Sequence, residues 1–216
     1  MKRIVGYIRD FLAPPCCAYC STFLHSSHEI LCSLCNQSIQ SITTSPFKIT
    51  EKTQGKVFAI SDYKDPLRSL VLAKHNRNRI ASQQLGKLLW KQTDLKFAEF
   101  DYIVPLPLHW TRYAWRWFNQ AEVMADEIAI LSGKPVLHLI ERSRRTVSQT
   151  GLSRKERKNN MQNAFVLKEK GNHLKGKTFL FIDDVMTTGT TLHAAIEVVR
   201  PLKIKNFLVG VACRVL

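Results

Sequence analysis

The sequence predicts an α/β fold in which a parallel sheet is flanked by helices, with a small module in front of it. Short apolar runs of β-strand type alternate with longer helical patterns beyond residue 50, and this alternation is typical of a parallel sheet covered by helices. One apolar run ends in two aspartates, followed by a turn of threonines and glycine. Near the start of the chain, two Cys-x2-Cys pairs indicate the separate module.

Length and composition fit one medium-sized domain with a small appendage. The chain has 216 residues, 45% of them hydrophobic, which is enough to bury a full core and argues against disorder. Its formal net charge of +15 and pI near 9.8 favour a polyanionic partner: nucleic acid, a phosphorylated metabolite or an acidic membrane surface. No run of about 18 apolar residues occurs, so we expect no membrane span and a cytoplasmic location.

The first 50 residues are predicted to form the N-terminal module. Residues 1–13 have the pattern of a short amphipathic helix that ends at Pro14 and Pro15. Two Cys-x2-Cys pairs, eleven residues apart, then have the spacing of a zinc ribbon, in which four thiolates hold a structural Zn²⁺. The predicted zinc ligands are Cys17, Cys20, Cys32 and Cys35.

Three neighbouring residues leave alternatives for this zinc site. Cys16 competes with Cys17 for the first ligand position, and His25 or His28 is an alternative ligand. Two unrelated buried cysteine turns would be the non-metal interpretation. Cys213 lies in a distant apolar run and is predicted to be a small core residue.

The elements of the main domain, predicted to span residues 51–216, follow from local patterns. Residues 36–54 are rich in Ser, Thr and Gln and are predicted to be an irregular connector. Apolar runs predict the strands, and apolar residues at helical spacing, with Pro66 in a first turn and Gly133 at a helix end, predict the helices. The strands are 57–60, 102–105, 136–140, 178–182 and 207–212, and the helices are 66–73, 82–91, 119–131 and 190–199.

The strongest functional signal is the segment that follows the predicted strand 178–182. Ligands of open α/β sheets bind at the carboxyl ends of strands, where Asp183 and Asp184 stand. Gly189 gives the next turn backbone freedom, and the start of the helix together with threonine hydroxyls suits a phosphate. The two carboxylates suit paired sugar hydroxyls or a metal ion. Simple capping of the helix is the structural alternative.

This segment resembles the phosphoribosyl-pyrophosphate (PRPP) binding loop of type I phosphoribosyltransferases. The resemblance implies that Asp183 and Asp184 hold the ribose 2- and 3-hydroxyls and that the threonine-glycine turn cradles the 5-phosphate, with Mg²⁺ accompanying the pyrophosphate. It also implies a type I phosphoribosyltransferase-like parallel sheet. The implied PRPP-binding residues are Asp183, Asp184, Val185, Met186, Thr187, Thr188, Gly189, Thr190 and Thr191.

Nearly the whole chain resembles the ComF (GntX-like) competence family, in which a zinc ribbon precedes a phosphoribosyltransferase domain. Besides the cysteine pairs and the PRPP loop, the matching pieces include 63–68, 104–109 and 118–121. Trp117 departs from the family, which usually has glycine there. The resemblance implies a role in natural transformation, where family members are linked to incoming single-stranded DNA, and a DNA-translocating helicase is a possible partner.

Two basic stretches outside the PRPP loop suit anionic ligands. Aromatic residues alternate with arginines between 110 and 118, as in base stacking combined with phosphate attraction, and residues 142–158 are strongly basic. The alternatives are aromatic packing under the next helix, a hood over pyrophosphate, and a solvated loop. The nucleic-acid candidates are Arg112, Trp115, Arg116, Trp117, Arg144, Arg145, Arg154, Lys155 and Lys158. The pyrophosphate-side candidates are Pro105, Arg112, Arg116, Arg142 and Arg157.

Three functions are compatible with these patterns. The favoured one is a PRPP-binding protein that handles single-stranded DNA during transformation. The second is an active phosphoribosyltransferase of nucleotide or base metabolism without a direct DNA role, for which the sequence identifies no catalytic acid or base. The third, a nucleic-acid regulator without PRPP binding, gives no reason for two adjacent carboxylates, which are costly to desolvate.

Overall fold

A computed structural model describes residues 14–26, 29–42, 44–50, 53–73, 79–108, 118–143, 164–168 and 171–215. Its helices are α1 (Ser33–Gln37), α2 (Leu67–Ala73), α3 (Arg79–Gln92), α4 (Gln120–Ser132) and α5 (Thr190–Val199), with short 3-10 helices at Asp94–Phe97, Asn172–Leu174 and Arg200–Leu202. Its strands are β1 (Ser45–Thr50), β2 (Thr53–Asp62), β3 (Tyr102–Pro105), β4 (Ile140–Arg142), β5 (Phe165–Leu167), β6 (Thr178–Met186) and β7 (Asn206–Arg214).

The main sheet has five strands in the order β1-β2-β7-β6-β3. Strands β2, β7, β6 and β3 run parallel, and β1 joins the edge of β2 in the antiparallel direction. Strands β4 and β5 form a separate antiparallel pair. The predicted α/β class with a mostly parallel sheet flanked by helices is therefore confirmed.

Each face of the sheet has its own core, because side chains alternate along the strands. On β6, Leu180 and Ile182 belong to the core shared with α2, α3 and α4. Phe179 and Phe181 belong to the opposite core, which includes α5 and the β4-β5 pair. The alternation brings Asp183 onto the face of α5, and this fixes the side of the sheet on which a ligand meets that helix.

Several predicted elements match the structure, and others need correction. Strand 102–105 and helix 190–199 are confirmed to the residue. Strand 178–182 is longer than predicted and continues to Met186, because residues 183–186 keep pairing with β7. The predicted strand 136–140 is wrong over most of its length: Val136 makes an isolated bridge to Ile103, and regular pairing occurs only at Ile140–Arg142.

The predicted irregular connector 36–54 is wrong in its second half. Residues Ser45–Thr50 form β1, and β2 already begins at Thr53. The polar composition hid β1 because an edge strand satisfies its hydrogen bonds through one neighbour and does not need two apolar faces. The division at residue 50 stays a prediction, and β1 lies on its N-terminal side.

The cysteine module, residues 14–42, packs onto the main core. Ile30 and Ile39 are buried in the same apolar cluster as Ile60 and Leu67. The backbone N–H of Ile42 donates to the carbonyl of Ile60 at 3.3 Å. The module is therefore joined to the sheet by apolar contacts and by hydrogen bonding.

Candidate functional site

The segment 183–191 surrounds a cavity at the carboxyl end of β6. The cavity lies between the turn, the start of α5 and the neighbouring strand β7, and about 40 Å³ of it is accessible to water. Asp183 and Thr187 are among the polar residues that face it, and Leu106 and Phe181 contribute apolar walls. The predicted loop residues that line it are Asp183, Val185, Met186, Thr187, Gly189, Thr190 and Thr191.

The two acidic residues at the end of β6 also shape the local backbone. Asp183 Oδ1 accepts the N–H of Asp184 at 2.8 Å, and Asp184 Oδ1 accepts the N–H of Val185 at 2.6 Å. Both side chains are half-buried and lie at the edge where ligands of parallel sheets bind. Both carboxylates therefore hold the chain in shape, and Asp183 also brings negative charge to the cavity, which Asp184 does not line.

The threonine turn is arranged for an anion. Gly189 has φ 70° and ψ 9°, the left-handed conformation that disfavours other residues, and α5 starts immediately after it without a side-chain cap. The first turn of an uncapped helix presents backbone N–H groups and the positive end of the helix dipole. The hydroxyls of Thr188 and Thr190 lie 2.7 Å apart. This arrangement suits a phosphate group.

A buried asparagine fixes the wall opposite the turn. Asn119 caps α4 by accepting the N–H of Ala121 at 3.1 Å, and its Nδ2 donates to the carbonyl of Leu106 at 3.0 Å. Leu106 in turn donates its N–H to the carbonyl of Ile182 at 2.9 Å. Sequence reasoning placed Asn119 only at a helix start, although Asn before an amphipathic helix was the available signal.

Two of the pyrophosphate-side candidates lie within the described residues. Pro105 is buried at the end of β3, beside Ile182 of β6. Arg142 is buried in β4, and its guanidinium lies 5.6 Å from the ring centre of Phe165. Their predicted role stays a prediction.

The other basic and aromatic candidates lie outside the described residues. These candidates are Arg112, Trp115, Arg116, Trp117, Arg144, Arg145, Arg154, Lys155, Arg157 and Lys158.

The four predicted zinc ligands come together in one cluster. The sulfurs of Cys17, Cys20, Cys32 and Cys35 all lie within 4.8 Å of one another, and those of Cys20 and Cys32 are 3.7 Å apart. Four sulfurs bound tetrahedrally to zinc at about 2.3 Å lie about 3.8 Å from one another. The cluster therefore fits a structural Zn²⁺. Because such ions need thiolates, binding displaces the thiol protons.

The surroundings of these thiols favour ionisation at one edge of the cluster. The hydroxyl of Thr22, 3.2 Å from the sulfur of Cys20, is the main cause that lowers the pKa of Cys20 to about 6. Burial raises the pKa of the Cys35 thiol.

Neighbouring residues do not join the cluster. Cys16 is exposed, and its backbone forms an isolated antiparallel β-bridge with Phe23. Its sulfur lies 3.4 Å from the carbonyl oxygen of Pro14. His25 is described and stands outside the four-residue group, whereas His28 lies outside the described residues. Cys213 is buried in the main core, as predicted.

Within the described part of the chain, no helix has the length and apolar character needed to cross a membrane.

Comparison with known proteins finds a family model that matches the C-terminal part of the chain and relatives that match most of it. Residues 119–215 match the model of the phosphoribosyl transferase domain family. The chain is 29% identical to competence protein F of Haemophilus influenzae, over 89% of this chain and 94% of that protein. It is 30% identical to the DNA utilization protein YhgH of Salmonella typhimurium, over 83% of this chain and 88% of that protein. Adenine phosphoribosyltransferase from Saccharomyces cerevisiae has 15% identity and a TM-score of 0.39, covering 85% of this chain and 89% of that one.

Proposed function

Because the chain belongs to the family of competence protein F and the DNA utilization protein YhgH, we propose that it is a PRPP-binding protein of natural transformation. In this proposal it acts in the cytoplasm on incoming single-stranded DNA, with a DNA-translocating helicase as a further partner. PRPP binds with Mg²⁺ at residues 183–191, and a structural Zn²⁺ is held by the four cysteines.

The observation that carries the PRPP proposal is the set of groups around the cavity at the end of β6. An uncapped helix start and threonine hydroxyls suit the 5-phosphate. The carboxylates of Asp183 and Asp184 lie at the strand end and are acceptors for the paired ribose hydroxyls. A phosphorylated sugar needs both kinds of group at neighbouring positions.

The chain's own groups bind and orient PRPP in this proposal. Asp183 lies on the cavity side of β6, next to the turn that would hold the phosphate. Mg²⁺, when bound with PRPP, neutralises charge on the pyrophosphate. Two hydrogen bonds, from Asn119 to Leu106 and from Leu106 to Ile182, tie the chain after β3 to β6.

The DNA part of the proposal rests on the relatives and on charge. The relatives carry names that refer to competence and DNA utilization, and the net charge of +15 favours polyanions. The basic and aromatic stretches 110–118 and 142–158 remain the candidates for contacts with DNA.

The alternative is an active phosphoribosyltransferase of nucleotide or base metabolism with no direct DNA role. The same acid pair and threonine turn support it, because a transferase would need the same contacts to the ribose and the 5-phosphate. Release of pyrophosphate from PRPP in the presence of nucleobases would support it, and the protein would then show no affinity for DNA.

The first test is calorimetric titration of the zinc-loaded protein with PRPP and Mg²⁺. We compare it with the variant Asp183→Asn/Asp184→Asn. Asparagine keeps the oxygen that accepts the following backbone N–H, so the turn is retained while both charges are lost. Two hydrogen bonds to charged groups contribute about 1.5–3 kcal/mol each, so the affinity is expected to fall by about 100-fold or more.

A matched control separates this effect from a general change of charge. Asp126→Asn/Glu197→Gln removes two exposed carboxylates outside the cavity, each of which forms an exposed ion pair with an arginine among the described residues, and is expected to bind PRPP like the parent. Saturable binding that is lost only in the cavity variant supports the proposal. If the unaltered protein does not bind PRPP, the proposal is wrong.

A further inference from the structure

A cluster of lysines lies at the end of the sheet opposite the PRPP loop. Lys177 precedes the first residue of β6, and Lys205 precedes the first residue of β7. Two backbone hydrogen bonds join their segments: Gly176 N–H donates to the carbonyl of Lys203 at 3.1 Å, and Lys205 N–H donates to that of Lys177 at 2.9 Å. We call Lys175, Lys177, Lys203 and Lys205 the lysine edge.

The lysine edge has little local charge compensation. Lys177 forms an ion pair with Asp101 at 3.0 Å. Within the described ranges, no carboxylate lies within 4 Å of the amino groups of Lys175, Lys203 or Lys205, and all three residues are exposed. Like charges held on neighbouring turns repel each other. A bound polyanion would relieve this repulsion.

An open cleft with about 760 Å³ of water-accessible space adjoins the lysine edge. Lys175 and Lys203 are its cationic lining, and its remaining surface is mostly apolar. The apolar lining residues are Leu167, Val198, Pro201 and Leu202. A single nucleic-acid strand presents phosphates and unstacked base faces together, which matches a surface of cations beside apolar side chains. A duplex hides its base faces and matches it less well.

The cleft is well separated from the PRPP cavity. Strand β6 has nine residues, which at about 3.3 Å each give a length of about 30 Å. The lysine edge lies at its start, whereas the PRPP loop begins at Asp183, about 17 Å further along the strand, and continues past its end. The cysteine module offers no comparable surface, because residues 14–42 contain no lysine or arginine.

We propose that the lysine edge and its cleft form a docking surface for the backbone of single-stranded DNA, which binds there while PRPP occupies the opposite end of the sheet. The proposal rests on the proposed role in DNA handling and adds a surface separate from the two basic stretches of the sequence. Phosphates lie against Lys175, Lys203 and Lys205, and bases lie against the apolar side chains of the cleft.

The test measures binding of a fluorescently labelled oligothymidylate to the full chain by anisotropy, over a series of salt concentrations. The variant Lys175→Gln/Lys203→Gln/Lys205→Gln is compared with Lys64→Gln/Arg68→Gln/Arg79→Gln, which removes three exposed cations outside the lysine edge. Each lost phosphate contact lowers the slope of log K against log salt by about 0.7. The first variant is therefore expected to lose about 2 in slope and about 100-fold in affinity near 0.1 M salt.

The outcomes distinguish failure of the docking surface from failure of the proposed DNA role on which it rests. A larger loss in the lysine-edge variant, with unchanged PRPP titration, supports the docking surface. Equal losses in both variants show that binding follows net charge alone and overturn it. A variant that binds single strands normally but loses duplex DNA also overturns it. If the unaltered protein binds no oligothymidylate, the proposed DNA role itself fails, whatever the PRPP titration shows.

Discussion

Gly189 determines the backbone geometry of the phosphate turn. Its φ of 70° lies in the left-handed region, where a residue with a Cβ is disfavoured by roughly 1–2 kcal/mol. The conformation directs the chain from the end of β6 into α5 within a few residues. The position of the helix start relative to Asp183 therefore depends on this one residue.

We predict that Gly189→Ala weakens both PRPP binding and stability. The free energy of unfolding should fall by about 1 kcal/mol because the left-handed conformation is strained, and the PRPP affinity should fall because the turn moves. Urea unfolding and calorimetric titration measure the two effects. Gly133→Ala is the matched control, since Gly133 has φ 71° at the end of α4, with no other atoms near its added Cβ. It should lose similar stability and keep PRPP binding, and an equal loss of affinity in both variants would contradict the prediction.

At the level of single residues, the sequence identified the groups of the cavity better than the groups that hold them. Asp183, Thr187 and Gly189 follow from local composition, because an acid pair and a small-residue turn at a strand end have few other uses. Asn119 was predicted only as part of a helix start. Its second hydrogen bond goes to Leu106, thirteen residues away, and such a partner depends on the folded chain.

The starts of β3 and β6 are tied together by one carboxylate. Asp101 accepts the N–H of Thr178 at 2.8 Å and the amino group of Lys177 at 3.0 Å. The hydrogen bond from Thr178 lowers the pKa of Asp101, and the contact with Lys177 lowers it further. The hydrogen bond between Lys177 and Asp101 in turn raises the pKa of Lys177. These two elements form one edge of the parallel sheet, so the tie acts on the sheet as a whole.

The pKa shift of Asp101 predicts how this tie depends on pH. A carboxyl whose pKa is lower in the folded state stabilises the fold above its unfolded pKa, and this stabilisation is lost as pH falls through the folded value. We expect Asp101→Asn to be less stable than the parent at about pH 5 to 8, with the difference shrinking below about pH 4. Urea unfolding at a series of pH values measures it. A difference that stays constant down to pH 2 would refute this account.

Strands and helices differed in how well the sequence predicted them. The helix 190–199 and the strand 102–105 have strong local patterns and are confirmed. Strand β1 has the sequence Ser-Pro-Phe-Lys-Ile-Thr and was missed, because only its pairing with β2 makes it a strand. Residues near Val136 are apolar, but Val136 makes an isolated β-bridge to Ile103 of β3 instead of a regular strand.

For the whole molecule, the cysteine module and the main domain share a core. Ile30 and Ile39 are at most 8% exposed and belong to the cluster that fills one face of the main sheet. The resemblance to the ComF family, a prediction from the sequence, is confirmed by relatives that match most of the chain. The contact between the two parts was not predicted, because the polar connector suggested independent units.

We predict that removal of zinc lowers the stability of the entire chain. Without the metal, the module no longer holds Ile30 and Ile39 in the core, and loss of two buried isoleucines costs about 3 to 6 kcal/mol. For a protein of this size, Tm should fall by about 10 °C or more. Thermal unfolding before and after chelation measures this, with metal content by mass spectrometry and recovery on adding Zn²⁺ as controls. An unchanged Tm after complete removal would contradict the shared core.

The packing of Ile30 and Ile39 also limits how the two parts can be inherited. If a different N-terminal sequence were joined to residues 51–216, two apolar side chains would leave the core. The outer edge of β2 would lose its partner β1 and become a site for aggregation. The cysteine module therefore cannot be exchanged independently of the main domain, and recombination between family members is expected to keep the two parts together.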